Sequence, residues 1–121
     1  MANILPVKTG ENCHMTDKIL MITTCGSPEE AERVAFRLVE KHLAACVNIS
    51  SPVRSVYRWK GALETAEEWM LTIKTRRDQF EAIREEVALL HSYDVPELIA
   101  LPIVNGAESY LDWLEAQLNP Q

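Results

Sequence analysis

Residues 46 to 75 read as one β-hairpin that is too long for the small domain carrying it, and this constrains the fold more than any other feature. Val53-Arg54-Ser55-Val56-Tyr57-Arg58-Trp59-Lys60 alternates sides at period two, as does Glu68-Trp69-Met70-Leu71-Thr72-Ile73-Lys74-Thr75, and Gly61 supplies the turn. Arms of about fifteen residues span roughly 50 Å each, whereas a compact domain of this length has a radius of gyration near ~14 Å. Tyr57, Trp59 and Trp69 on a ribbon projecting into water are an aggregation hazard unless another chain covers them. The hairpin therefore predicts an obligate oligomer. Ser51-Pro52 offers the competing arrangement, two shorter strands with a bend or bulge, because proline has no N–H to give to a central ladder.

The 121 residues, 47% hydrophobic and 25% charged, suffice for one domain around one core. Eighteen carboxylates against twelve lysines and arginines leave a net charge of -6, which argues against a duplex nucleic-acid or anionic-membrane partner. The same excess is compatible with cation binding and with plain solubility. Residues 1–17 hold no apolar run long enough for a signal-peptide core or a membrane span, so a cytoplasmic protein is expected. Periodicity begins at Lys18, which makes 1–17 a loosely ordered tail and 18–121 the single domain. Three cysteines without paired spacing suit a reducing compartment better than a disulfide framework.

Ile19 to Thr24 is a nearly continuous apolar run, the pattern of a strand in mid-sheet. Ser27-Pro28 followed by Glu30 has the form of a capping box with proline at the first helical position. Ala31, Val34, Ala35, Leu38, Val39 and His42 give the helix that follows its apolar stripe. Beyond the hairpin, Phe80, Ile83, Val87 and Leu90 mark a second helix, with Asp78 as its expected cap and Glu81 three residues on. Leu98 to Val104 is a further strand, which Pro102 places at a sheet edge, and a last helix carries Tyr110, Leu111, Leu114 and Leu118. The order is β-α-β-β-α-β plus a C-terminal helix, the α+β, ferredoxin-like split βαβ arrangement with an antiparallel sheet. Right-handed crossovers then bring Cys25, His91, Glu97 and the hairpin tip, Trp59 to Gly61, to one rim, with Cys46 on the other.

Several segments together resemble the CutA divalent-cation-tolerance family: Lys41-His42-Leu43-Ala44-Ala45-Cys46-Val47-Asn48, Tyr57-Arg58-Trp59-Lys60-Gly61, His91-Ser92-Tyr93-Asp94-Val95-Pro96-Glu97 and Tyr110-Leu111-Asp112-Trp113-Leu114. The similarity covers about residues 18 to 118 in uninterrupted order. It implies a homotrimer, PII-like in architecture, with the long hairpin exchanged across subunit contacts, and a link to copper tolerance in bacteria. It defines no reaction.

On the shared rim, the Cys25 thiolate and the His91 imidazole are the soft and borderline ligands that copper or zinc prefer, with Glu97 or a neighbouring subunit completing the set. An ungapped match to the family back from Cys46 puts Thr23, not Cys25, at the metal-linked position. The bland alternative makes Cys25 a small buried residue and His91 a helix-terminal histidine. Cys46 reads as structural, and the adjacent Cys13 and His14 in the tail are not counted as a site. A second constellation, Trp59, Lys60, Tyr93 and Glu97, suits either a ligand cleft between subunits or an interface anchor in which Lys60 pairs with Glu97. The four glycines are not clustered into a phosphate loop, and neither Gly-x-Ser-x-Gly nor His-Glu-x-x-His occurs. Glu67 and Glu68 fall on opposite faces of a strand. The expectation is a binding protein and not an enzyme.

Overall fold

A computed structural model describes residues 16–120. The elements run β1 (Lys18–Cys25), α1 (Pro28–Glu40), β2 (Cys46–Ile49), β3 (Val53–Trp59), β4 (Ala62–Arg76), a 3₁₀ turn (Arg77–Gln79), α2 (Phe80–Leu90), β5 (Ile99–Pro102) and α3 (Glu108–Ala116). The antiparallel sheet has the order β2-β4-β1-β5, with β3 pairing the far part of β4. This is the ferredoxin-like order, with β1 in mid-sheet and β5, which contains Pro102, at the edge. The expected tail, 1–17, lies outside the described residues except for its end, where Thr16 Oγ1 donates to the Ile103 carbonyl and the Arg77 N–H to the Asp17 carbonyl.

The hairpin follows the competing arrangement in one arm only. Its second arm is the unbroken β4, while the first breaks between β2 and β3. Ile49 faces Leu71 and Val53 faces Glu68, so residues 50–52 stand opposite only 69 and 70, the count of a bulge. Ser50 secures it, its N–H donating to the Met70 carbonyl and its Oγ accepting from the Met70 N–H, both at 2.9 Å. At the tip, Trp59 pairs with Ala62 across Lys60 and Gly61, whose φ of 51° and 82° is the positive pair a two-residue turn of matching twist requires.

Alternate residues of β1 and β4 (Ile19, Met21, Cys25; Leu71, Ile73) face α1 and α2, where Ala31, Val34, Leu38, Ile83 and Val87 complete the core. Leu20 and Ile22, on the opposite face, are only half-buried. Ser27 caps α1 as expected, its Oγ accepting from the Glu30 N–H at 3.1 Å. The helix ends one residue before Lys41, and His42 lies beyond it at φ 60°, in the left-handed position of a Schellman cap. Asp78 does not cap α2 through a side-chain bond; its carboxylate binds Arg76 Nε at 2.7 Å, because a buried guanidinium has the stronger claim on it. Arg76, 1% exposed, also reaches Glu115 and the Asn119 carbonyl, which fastens the end of α3 to β4.

Candidate functional site

The end of β1, the first turn of α1 and the residue after α2 meet on one rim. Cys25 Sγ, a Glu30 carboxylate oxygen and a His91 ring nitrogen there lie within 4.8 Å of one another. All three side chains are buried. His91 Nε2 is 2.6 Å from the Thr24 carbonyl, and Nδ1 is 3.1 Å from the Tyr93 N–H. A carbonyl only accepts and an amide N–H only donates, so Nε2 carries the proton and Nδ1 holds a lone pair. Glu30 Oε2 lies 3.2 Å from Nδ1 and accepts from the Ser92 N–H at 3.3 Å. Burial, followed by the neighbouring Glu30 carboxylate, pushes the Cys25 thiol up to about 12. Cys25 is therefore a neutral thiol at neutral pH.

Beside it opens a cleft of about 630 Å³, walled by Tyr57, Trp59 and Tyr93 and by the carboxylates of Glu68, Asp94 and Glu97. Glu68, at the base of the ribbon, accepts from Ser55 Oγ at 2.6 Å and from the Tyr93 hydroxyl at 2.8 Å. Desolvation, reinforced by that bond, raises the Tyr93 phenol well above its ordinary range and keeps it a donor. The phenol sits over Gly26, where an added Cβ would come within 3.0 Å of its oxygen. Tyr93 thus joins the two sites, its amide on His91 and its hydroxyl on Glu68.

The expected site residues are distributed between these places. Cys25 and His91 come together, while Thr23 is buried with an unpartnered hydroxyl. Glu97 lines the cleft with Trp59 and Tyr93 instead of joining the cluster. Lys60 is not in the cleft wall: its ammonium lies 5.8 Å from the centre of the Trp59 ring, the cation–π contact open to a turn residue beside an aromatic one. The sequence reasoning missed Glu30 and Glu68. Glu30 has the spacing of a local capping residue, yet its carboxylate turns toward residues 91 and 92. The remaining signal was its position, one turn into α1 on the same rim as Cys25.

The sheet order, the overlong hairpin and the clustered rim define a ferredoxin-like α+β protein with a candidate site at the ends of β1 and α2. A sequence model of the CutA1 divalent ion tolerance protein family matches residues 19–117, and the chain belongs to that family. It is 48% identical over 92 residues to the divalent-cation tolerance protein CutA of Archaeoglobus fulgidus, covering 76% of this chain and 89% of the relative. The corresponding protein of Thermus thermophilus is 45% identical, covering 78% and 92%. The crystal structure of CutA1 from Oryza sativa superimposes with a TM-score of 0.85 at 40% identity, over 89% of this chain and 99% of that one.

Proposed function

We propose that this chain is a cytoplasmic homotrimer that binds a divalent metal ion such as copper at Cys25, Glu30 and His91 and signals its presence without catalysing a reaction. The observation that carries the reading is the convergence of sulfur, oxygen and nitrogen donors within 4.8 Å, a set whose chemistry fits copper or zinc. Nδ1 is the only ring nitrogen with a lone pair, so a ligand there must displace the Tyr93 amide. That displacement would pass to the Tyr93 phenol and Glu68 in the cleft, which gives the signalling role a physical route. Coordination by Cys25 also requires loss of a proton held up to about pH 12, so affinity should rise as pH rises from 7 toward 9.

The trimer reading is supported by the surface left bare. β3 pairs with β4 alone, and Val56, Leu63, Tyr57 and Trp59 on that ribbon are all exposed. Ile99 and Leu101 on the edge strand β5 are exposed as well. Two strands do not hold themselves apart in water. Sedimentation should give three times the subunit mass, and a stable folded monomer would overturn the assembly. Trp59→Ala should weaken it by about 2 kcal/mol.

A PII-like trimer that binds a small molecule, with no physiological metal, is the second reading. The engagement of both His91 nitrogens favours it. Calorimetric copper titrations decide between the two. Cys25→Ala, Glu30→Gln and His91→Ala should each weaken binding roughly tenfold or more, whereas equal affinity in all four proteins would leave the cleft as the only site. Relatives carry the words chloroplastic and periplasmic in their names, so the compartment is tested by fractionation. Among the described residues no helix is long and apolar enough to cross a membrane.

A further inference from the structure

We propose that the cleft is a binding site for a small organic ammonium cation, distinct from the metal cluster and joined to it through Tyr93. Its walls combine three aromatic rings, Tyr57, Trp59 and Tyr93, with three carboxylates, Glu68, Asp94 and Glu97. Among the described residues none of the side chains lining it is basic. The field in the cleft is therefore negative, and its volume of about 630 Å³ is that of a small-molecule site.

The aromatic walls decide which kind of cation fits. A hydrated divalent ion holds its water tightly and gains little from a ring face, preferring oxygen donors that replace the water. An alkylammonium has diffuse charge and an apolar shell, and both are satisfied by ring faces with carboxylates nearby. The Trp59 ring already carries one such contact, with the Lys60 ammonium beside it in sequence 5.8 Å from the ring centre.

The site is also pre-organised. Tyr93 is held at three points, by its hydroxyl on Glu68, by its amide on His91 and by a tilted ring contact with His91 at 4.7 Å. Glu68 is fixed in turn by Ser55. Less ordering is then required on binding. Asp94 and Glu97 are exposed on the single chain, as are the ribbon side chains Tyr57 and Trp59.

The test uses the full chain and two probes of similar shape, tetramethylammonium and neutral tert-butanol, titrated calorimetrically. Tetramethylammonium should bind saturably and tert-butanol should not. Asp94→Asn, which alters an exposed side chain outside the ribbon, should weaken tetramethylammonium binding by roughly tenfold with circular dichroism and sedimentation unchanged, and Tyr57→Leu should weaken it by a similar factor whatever its effect on assembly. Copper binding by Tyr57→Leu should stay at the wild-type level, which separates this site from the cluster. Saturable tert-butanol binding, equal tetramethylammonium affinity in wild type and both variants, or no saturable binding of tetramethylammonium to the wild-type chain would each overturn the assignment.

Discussion

The two halves of β4 share one strand and one alternation, yet they live under opposite conditions. From Trp69 to Arg76 the strand pairs with β1, and from Leu71 to Lys74 with β2 on its other side, beneath two helices, and Leu71, Ile73, Thr75 and Arg76 are buried. From Ala62 to Glu67 it has only β3 beside it, and Leu63 is 69% exposed. Period two specifies a strand in both halves. What differs is the number of neighbours the same chain can supply, and the unsupplied half is where the cleft and the proposed subunit contacts lie. Glu68 marks the change, buried at the root of the ribbon and tied to Tyr93.

The sharpest way to break this division is a matched pair of truncations. Leu71→Ala opens a cavity in the supported half and should cost about 2 to 5 kcal/mol in urea unfolding. Leu63→Ala should change chain stability by no more than about 0.5 kcal/mol, and should show instead as weakened association in sedimentation. Equal effects of the two on unfolding would mean that the halves are not different in kind.

A smaller effect is expected at the boundary. Tyr93→Phe leaves Glu68 with Ser55 as its remaining side-chain donor and should cost about 1 to 3 kcal/mol, with faster hydrogen exchange at the Ser92 and Tyr93 amides. Gly26→Ala, which presses on the same phenol, should reproduce part of that loss. Unchanged exchange in both variants would detach the 91–97 loop from the ribbon.

The smallest effects come from titration, and they belong to the supported half and its rim. The bond from Arg76 holds Asp78 below its ordinary value of 3.8, and the bond from Lys41 holds Glu86 below 4.5. Their folded values are depressed, so their stabilisation is full above the ordinary values and fades as pH falls through the depressed ones. Cys25 is raised from 9.0, so the neutral thiol favours the fold at lower pH and stability declines as pH rises above about 9. The unfolding midpoint followed against pH should fall at both ends, and Cys25→Ala should flatten the alkaline arm.

Much of the architecture was legible because it is written locally. Period-two runs gave the hairpin arms, three- and four-residue spacing gave the helices, and Ser27-Pro28 and Gly61 punctuated them. Pro102 announced an edge because it cannot donate to a ladder, and Pro52 left open, as the competing arrangement, the bulge that breaks the first arm. The site was legible in part. Element order placed Cys25 and His91 at one rim, but the ordering of rims says nothing about where a side chain turns. Asp78 and Glu30 each looked like a helix-start residue with a local task, and each was drawn instead toward a distant partner: Arg76 for the first, residues 91 and 92 for the second.

The sequence by itself determined the elements, their order and the excess length of the ribbon, since these follow from backbone preferences and from alternation along a few consecutive residues. Only the tertiary structure decided that Glu30 completes the rim cluster, that Tyr93 links His91 to Glu68, and that Lys60 rests on Trp59 instead of pairing with Glu97. Glu30 and His91, or Tyr93 and Glu68, are far apart in the chain and meet only through packing. Which donor finds which acceptor is then settled by side-chain torsions and by competition within a desolvated space, neither of which leaves a period in the sequence.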